Sequence, residues 1–447
     1  MNWKTKSRIA SHWRINEKRD KVECTLCPRH CRLKPNQFGF CGVRGNVSNQ
    51  QHTFNYGYAV PVTVEVIETE AIYHFRPGSR VLCVGNIGCM LECDFCQNWQ
   101  TSQVKHLDRK NIRFYSPEDI VDLAIKNGTD IISWTYNDPV VWHEFVLDTA
   151  RLASGKGIKN LYKSSLYIEI EPLKELIEVI DIFSVSFKSM SSEFYRKYTK
   201  GRLDPILEAI KVLGASPSLH LELSQLVVTG LNDDGMDAKN TARWIIRNIG
   251  SHVPLHFVGF HQAYKYTKAK RTPLNKLLEL SDLAIKEGIE YSYIGNVCKR
   301  NISDTICRTC GSKLVERYGV TANVAGLDGE SRCLNCSTKS PIREPFYSVN
   351  MEAKTGSFEP LQEFSYMWDD NTNGIHIASA SDLSDQIGIR IQRLPDCQTD
   401  VYRMSPNLGR ITVNKKAESE LGIRIGVDSN DRVNIFPLLD RAHYPVE

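Results

Sequence analysis

Short apolar runs alternate with helical patterns between residues 80 and 296, and this alternation restricts the chain to few folds. Wide intervals separate consecutive runs, as in the βα units of a buried parallel sheet. The predicted strands are Arg80–Val84, Ile131–Thr135, Ile158–Lys163, Ile182–Phe187, His220–Val228 and Pro254–Phe260, with a further candidate at Tyr291–Ile294. Six strand–helix repeats favour an α/β fold, a partial (βα)6 parallel barrel, over a sandwich or a helix bundle.

The segments between these strands carry helix start and stop signals. Ser116 and Pro117 suit the N-cap and the first position of one helix, and Gly128 suits its end. Other helical patterns cover Pro139–Ala153, Lys174–Val179, Ser191–Tyr198, Asp204–Leu213, Asp237–Ile249 and Pro273–Glu287. Helices in these intervals would provide the crossovers that a parallel sheet requires.

The chain contains 14 cysteines among 447 residues, and their clustering indicates metal binding in a reducing compartment. A chain of this length can bury a real core, so a small disulfide scaffold is a poor explanation. Three groups have ligand-like spacing: Cys24, Cys27, Cys31 and Cys41; Cys89, Cys93 and Cys96; and Cys307, Cys310, Cys333 and Cys336. We assign no chemical role to the remaining three, Cys83, Cys298 and Cys397.

The three-cysteine group lies in a loop directly after the first predicted strand. Thiolates at x3 and x2 spacing can surround one cubane iron–sulfur cluster. Such a cluster usually takes four cysteines, so three would leave one iron open, as a catalytic zinc site keeps one position open. An open iron can bind a chelating substrate or cofactor. The alternative is a set of buried or zinc-binding cysteines with a further ligand from elsewhere.

This loop, with the aromatic Phe95 before its third cysteine, resembles the cluster loop of the radical S-adenosylmethionine (SAM) superfamily. The wider context resembles the radical SAM enzymes of the AmmeMemoRadiSam system, relatives of the pyruvate formate-lyase activating enzyme. The matching segments, all within residues 20–345, are Cys24–Arg29, Gly39–Arg44, Tyr73–Ser79, Gly88–Cys89, Cys96–Trp99, Thr135–Pro139 and Pro254–Phe257. The resemblance implies reductive cleavage of SAM at a three-cysteine [4Fe–4S] cluster, which yields a hydrogen-abstracting 5′-deoxyadenosyl radical.

The resemblance also implies which residues hold SAM. Tyr136, Asn137 and Asp138 follow the second strand, where relatives bind the methionine ammonium, and a carboxylate with carbonyl oxygens suits a cation. Lys188 matches a basic residue that meets the SAM carboxylate in activating enzymes. Ser186 stands where those enzymes carry an acid, so that acidic contact is missing from this sequence. The alternatives are a strand-end turn at 136–138 and a solvated lysine at 188.

Further cofactor contacts are expected inside the barrel and in the cluster loop. Glu222 and Ser224 alternate with apolar residues, so they can face the interior and contact the ribose. His256 occupies a position from which relatives approach SAM, and Phe95 and Asn98 belong to the matched loop. The alternatives are a polar outer strand face and a packed core histidine. The active sites of parallel α/β barrels lie at the carboxyl ends of the strands, and this favours the interpretation of these residues as cofactor contacts.

Each four-cysteine group can complete a tetrahedral metal site. The pairs Cys307–Cys310 and Cys333–Cys336 predict a structural zinc ribbon, in which four protein ligands leave no open position. Zinc is also our expectation for the N-terminal group. An auxiliary iron–sulfur cluster is the alternative at either site, since thiolates suit both and spacing does not separate them.

Changes in composition predict four domains. Residues 1–75 form a four-cysteine segment with a β extension, 76–297 the barrel, 298–345 the four-cysteine ribbon and 346–447 a β-rich domain. Around 409–435, β-type runs alternate with glycine-containing turns in a cadence similar to double-psi β-barrel modules. Such a module can grip a substrate protein, cover the barrel mouth or only pack against it.

Charge and hydropathy limit the expected partners. The formal charge of +4 is too small to argue for nucleic acid or an anionic membrane. No run of 18 apolar residues and no secretory signal is present, so we expect a cytoplasmic protein. The family resemblance implies an electron donor of the flavodoxin or ferredoxin type.

Three hypotheses about function follow from these features. The first is a radical SAM enzyme that abstracts hydrogen from a protein or peptide substrate. The second applies the same chemistry to a small molecule enclosed in the barrel. The third is a non-catalytic protein whose metal clusters are structural or carry electrons.

Overall fold

The structure is a computed structural model, and it describes residues 6–16, 21–60 and 62–345 together with seven strands beyond residue 361. It contains two compact units. One comprises Met1–Phe75 with Arg80–Val297, and the other Arg76–Ser79 with Cys298–Glu447. The four-domain division stays a prediction.

An eight-stranded sheet forms the centre of the first unit. Its seven parallel strands are β1 (Arg80–Gly85), β2 (Ile131–Thr135), β3 (Lys159–Ser164), β4 (Ile182–Phe187), β5 (His220–Val227), β6 (Leu255–Gly259) and β7 (Ser292–Gly295). They neighbour one another in chain order, and Thr63–Val66 pairs antiparallel with β1 at the edge. The fold class is confirmed as an α/β partial parallel barrel, and the seventh strand makes its sheet one strand wider than the six repeats predicted.

Six helices connect the strands. They are α1 (Pro117–Lys126), α2 (His143–Gly155), α3 (Ile170–Ile177), α4 (Asp204–Gly214), α5 (Gly235–Asn248) and α6 (Leu274–Glu287). Ser116 caps α1 through a capping box with Asp119, which confirms the predicted start of that helix. The predicted helix over Ser191–Tyr198 is instead a short turn, Ser192–Phe194, that continues into a π-helix, Tyr195–Thr199.

Short strands provide most of the regular secondary structure that is described before the barrel. One small sheet joins Trp13–Asn16, Lys21–Cys24 and Arg32–Leu33, another joins Arg8–Ile9, Arg44–Val47 and Gln50–Thr53, and Tyr58–Ala59 pairs with Arg113–Phe114. Arg44 anchors this segment to α2, since its Nη1 and Nη2 donate to the Glu144 carboxylate at 2.9 and 2.8 Å. Both side chains are buried, so the ion pair lies inside the first unit.

The described part of the second unit is built from β-strands. Thr305–Ile306, Lys313–Tyr318 and Thr321–Asn323 form a small antiparallel sheet beside the ribbon cysteines. Beyond residue 361, one sheet has the order 362–367, 422–427, 387–394, 399–404, and another has the order 410–414, 372–379, 433–439. This agrees with the predicted β-rich C-terminal part, and its likeness to a double-psi barrel stays a prediction.

Among the residues that the structure describes, no helix is long and apolar enough to cross a membrane.

Candidate active site

The loop after β1 carries Cys89, Cys93 and Cys96 at the carboxyl edge of the sheet. Every residue of β1 is buried, so the chain leaves the barrel core immediately before the loop. Gly88 has φ +86°, and a Cβ there would lie 2.7 Å from the Cys41 carbonyl oxygen. Only glycine suits both that conformation and that contact. The position of the first cysteine therefore depends on the residue before it.

The three loop thiols are half-buried, and burial dominates the ionisation of each. Burial raises the pKa of Cys89 well above its usual value and raises the pKa of Cys93 to about 12. The neighbouring loop cysteines add to both shifts. Cluster assembly must therefore displace thiol protons. The three sulfurs do not form a group within 4.8 Å, the separation expected of ligands on a single ion. Three separated thiols in a partly buried loop fit three corners of a [4Fe–4S] cluster.

The predicted strand-end residues meet the cluster loop directly. The Asn98 amide donates to the Tyr136 carbonyl, and Thr101 Oγ1 donates to Asn137 Oδ1 at 3.1 Å. Tyr136 itself has φ +66°, which turns the chain sharply after β2. The loop after β1 and the loop after β2 are therefore held together by side-chain hydrogen bonds.

Asp138 is buried and hydrogen-bonded to the end of β3. Its Oδ1 accepts from Ser164 Oγ at 2.8 Å, and its Oδ2 accepts from the Ser165 amide at 2.9 Å and from Ser165 Oγ at 2.5 Å. Burial raises the pKa of Asp138, and the Ser165 and Ser164 hydrogen bonds oppose that shift. Sequence reasoning missed both serines, although polar residues directly after an apolar strand are a signal that could have identified them.

Lys188 lies beside the cluster loop. Burial lowers the pKa of its amine, while Cys93, Asp138 and Cys96 oppose that shift. The structure thus brings together the lysine, the acid after β2 and two cluster cysteines that the sequence separates widely. A carboxylate and an amine in one site suit a zwitterionic ligand.

The remaining predicted contacts form a row across the sheet. Ser186 on β4 pairs in register with Ser224 on β5, and Ser224 pairs with His256 on β6. Phe95 is buried in the cluster loop against Phe194, with ring centroids 5.8 Å apart. A SAM contact by any of these residues stays a prediction.

Glu222 is fully buried and already has four hydrogen-bond donors. Its Oε1 accepts from the Tyr73 amide at 2.9 Å, the His74 amide at 2.7 Å and His220 Nε2 at 2.8 Å, and its Oε2 accepts from His256 Nε2 at 2.7 Å. Burial opposes ionisation, but the two histidines hold the pKa of Glu222 well below its usual range. In this arrangement Glu222 anchors residues 73–74 and His256, and its predicted contact with the ribose stays a prediction.

The ribbon cysteines have the geometry of a single-ion site. The Sγ atoms of Cys307 and Cys336 are 3.6 Å apart, as are those of Cys310 and Cys333, and all four lie within 4.8 Å of one another. Four thiolates about 2.3 Å from a tetrahedral zinc would lie roughly 3.8 Å apart. The residues present therefore fit zinc.

Replacing Cys333 with alanine is expected to remove about one zinc per chain and to lower the unfolding midpoint of the second unit, because zinc-binding free energy contributes to folding. Zinc analysis and thermal denaturation measure both effects, and Cys298→Ala is the matched control. If the variant keeps its fold and its zinc, the ligand assignment is wrong.

Comparison with known proteins decides the family. An uncharacterized protein of Methanocaldococcus jannaschii is 37% identical over 324 residues, which cover 72% of this chain and 96% of that protein. The Radical SAM superfamily model matches residues 84–245, which include all three loop cysteines. The chain belongs to the radical SAM superfamily. As a radical SAM enzyme, it uses a [4Fe–4S] cluster and SAM, and the site described above has the residues to hold them.

Two more distant likenesses concern activating enzymes. The (2S)-3-sulfopropanediol dehydratase activating enzyme of Klebsiella oxytoca is 27% identical over 117 residues, which cover 26% of this chain and 36% of that enzyme. A crystal structure of a domain of a pyruvate-formate lyase-activating enzyme from Bacteroides vulgatus has 16% identity and a TM-score of 0.33, and the match covers 37% of this chain and 98% of that domain. The structural score is too low to support any conclusion about function.

Proposed function

We propose that this radical SAM enzyme abstracts hydrogen from a protein or peptide substrate. The observation that carries the proposal is the sequence similarity, 27% identity over 117 residues, to an enzyme that activates a dehydratase. One electron and SAM would give methionine and a 5′-deoxyadenosyl radical. That radical would take one hydrogen atom and leave 5′-deoxyadenosine and a substrate radical. A flavodoxin- or ferredoxin-type protein would supply the electron.

The proposed roles of the site residues follow their charges. Cys89, Cys93 and Cys96 hold the cluster and leave one iron for the amino and carboxylate groups of SAM. Asp138 supplies negative charge on the side of the SAM ammonium, and Lys188 supplies positive charge for the carboxylate. The row formed by Ser186, Ser224 and His256 provides hydrogen-bonding groups for the adenosine portion.

The first experiment tests the radical chemistry. The full chain is reconstituted with iron and sulfide without oxygen, reduced and mixed with SAM, and 5′-deoxyadenosine is measured. We expect product that depends on both reductant and SAM. Absence of product from protein with a spectroscopically intact cluster would contradict the enzymatic proposal and favour an electron-transfer or structural protein.

A second experiment separates the two substrate classes. Cells that contain the natural substrate are grown with deuterium, and their extract is divided by ultrafiltration into a protein fraction and a small-molecule filtrate. Deuterium transferred into 5′-deoxyadenosine from the protein fraction supports the proposal. Transfer from the filtrate alone would establish a small-molecule substrate instead.

Lys188→Ala is expected to raise the KM for SAM by about 10- to 100-fold, since a hydrogen bond to a charged group contributes about 1.5–3 kcal/mol. The iron content should not change, because Lys188 is not a cluster ligand. Lys126→Ala, which removes an exposed lysine at the end of α1, is the matched control. An unchanged KM would exclude Lys188 as the carboxylate contact.

A further inference from the structure

We propose that Cys24, Cys27, Cys31 and Cys41, hereafter the N-terminal cysteine site, hold an auxiliary [4Fe–4S] cluster and not a zinc ion. The first observation is the space that these thiols enclose. All four line one cavity, together with Met90 of the radical SAM loop. Four thiols around one shared cavity can surround a single metal centre.

The separation of the sulfurs is the second observation, and the chain provides its own standards. Among the described residues, two groups of ligand atoms lie within 4.8 Å of one another: the ribbon cysteines, and the set His12, His143 and Glu175. The N-terminal cysteine site forms no such group. The three cysteines of the radical SAM loop form none either. In a cubane cluster each thiolate binds a different iron, so the sulfurs lie farther apart than on one ion.

The four N-terminal thiols still face a common centre. All four line the same cavity, and Gly39 lies beside Cys31. Cys24 and Cys27 are buried, which would shield a cluster from solvent. Four protein thiolates would occupy all four irons, so this cluster would have no open iron for SAM.

The N-terminal cysteine site also packs against the radical SAM loop. Met90, adjacent to the ligand Cys89, lines the cavity. Arg29, two residues after Cys27, donates from its guanidinium to the Met90 carbonyl. The Cys41 carbonyl lies against Gly88, as described above. A cluster at the N-terminal site would thus lie beside the loop that holds the SAM-binding cluster, a position suited to the exchange of single electrons.

Metal analysis of the full chain tests this proposal without any measurement of activity. After anaerobic reconstitution, we expect about eight irons and eight sulfides per chain, from two clusters of four, together with about one zinc in the ribbon. The C89A/C93A/C96A variant should keep about four irons, and the C31S/C41S variant should also keep about four. The ribbon variant C333A/C336A should keep all eight irons and lose its zinc.

Electron paramagnetic resonance of the reduced variants gives an independent measurement. Addition of SAM should change the spectrum of C31S/C41S, which retains the open-iron cluster, and should leave that of C89A/C93A/C96A unchanged. If C89A/C93A/C96A contains about two zincs and no iron, the N-terminal cysteine site binds zinc and the proposal is wrong. This result does not depend on whether C31S/C41S folds, since C89A/C93A/C96A leaves the N-terminal cysteines intact. Failure of SAM cleavage would contradict the proposed function and leave these iron counts unaffected.

Discussion

Cys93→Ala is expected to lower the rate of 5′-deoxyadenosine formation by more than about 100-fold. Mutation of a residue that only hydrogen-bonds to a metal ligand already lowers metal affinity or activity by about 10- to 100-fold, and loss of a ligand itself should lower the rate further. Cys93 is one of three thiols in the loop after β1, and its loss leaves two ligands for a cluster that needs three. The measurement is product formation in reconstituted, reduced protein, with iron content determined on the same sample.

Cys298→Ala serves as the control for that experiment. Cys298 is exposed and belongs to none of the three ligand groups. We expect unchanged iron content and unchanged product formation in this variant. Wild-type cleavage by Cys93→Ala would show that this cysteine is not a ligand of the SAM-binding cluster.

Glu144→Gln is expected to lower the free energy of unfolding of the first unit by about 3–5 kcal/mol, the usual cost of breaking a buried ion pair. Glu144 accepts both Arg44 hydrogen bonds and two from Ser11, through its amide at 2.7 Å and its Oγ at 2.8 Å. Neutralising the carboxylate leaves the Arg44 charge buried without compensation. Chemical denaturation followed by tryptophan fluorescence measures the change.

Glu208→Gln is the matched control, because Glu208 forms an exposed pair with Lys211 at 2.8 Å on α4. Exposed pairs contribute about 0–1 kcal/mol. Equal effects of the two substitutions would show that the Arg44–Glu144 pair does not hold the N-terminal segment to α2.

The same ion pair predicts a loss of stability in acid. Burial opposes ionisation, but the Arg44 guanidinium holds the pKa of Glu144 at about 2, below its ordinary value of 4.5. A carboxyl with a depressed folded-state pKa contributes its full stability above the unfolded-state value and loses it as the pH falls through the folded-state value. The difference corresponds to about 3 kcal/mol. Glu144→Gln should therefore flatten the pH dependence of stability between about pH 4.5 and 2.

The barrel strands and the cluster loop could be predicted because their signals are local. Apolar runs identified all six expected strands to within a residue or two, and the seventh coincides with the further candidate at Tyr291–Ile294. The loop cysteines follow β1 directly, so their place at the carboxyl edge required only the direction of the strand. The capping box of α1 was readable for the same reason, since Ser116 and Asp119 are three residues apart.

Contacts between distant parts of the chain could not be predicted from local signals. Arg44 and Glu144 are 100 residues apart, and Glu222 meets the backbone of His74 across 148 residues. These pairs form only when the sheet has closed in its register and the N-terminal segment has packed on α2. The alternation of Glu222 with apolar residues predicted that it faces the interior, but its four hydrogen-bond donors could be identified only from the tertiary structure.

The cysteines show the same division most clearly. By itself, the sequence determined how many thiolates each site offers, and the count of three in one loop indicated an open iron. The radical SAM chemistry followed from the resemblance of that loop and its context to the superfamily. The sequence did not distinguish zinc from an iron–sulfur cluster at the two four-cysteine sites, because both kinds of metal centre bind four thiolates. The tertiary structure set the distances between sulfurs, 3.6 Å within pairs of the ribbon and a cavity-lining arrangement at the N-terminal site. Ligands of one ion must lie close together and ligands of a cube must lie apart, so the choice between the two metals depends on packing that ligand spacing along the chain does not encode.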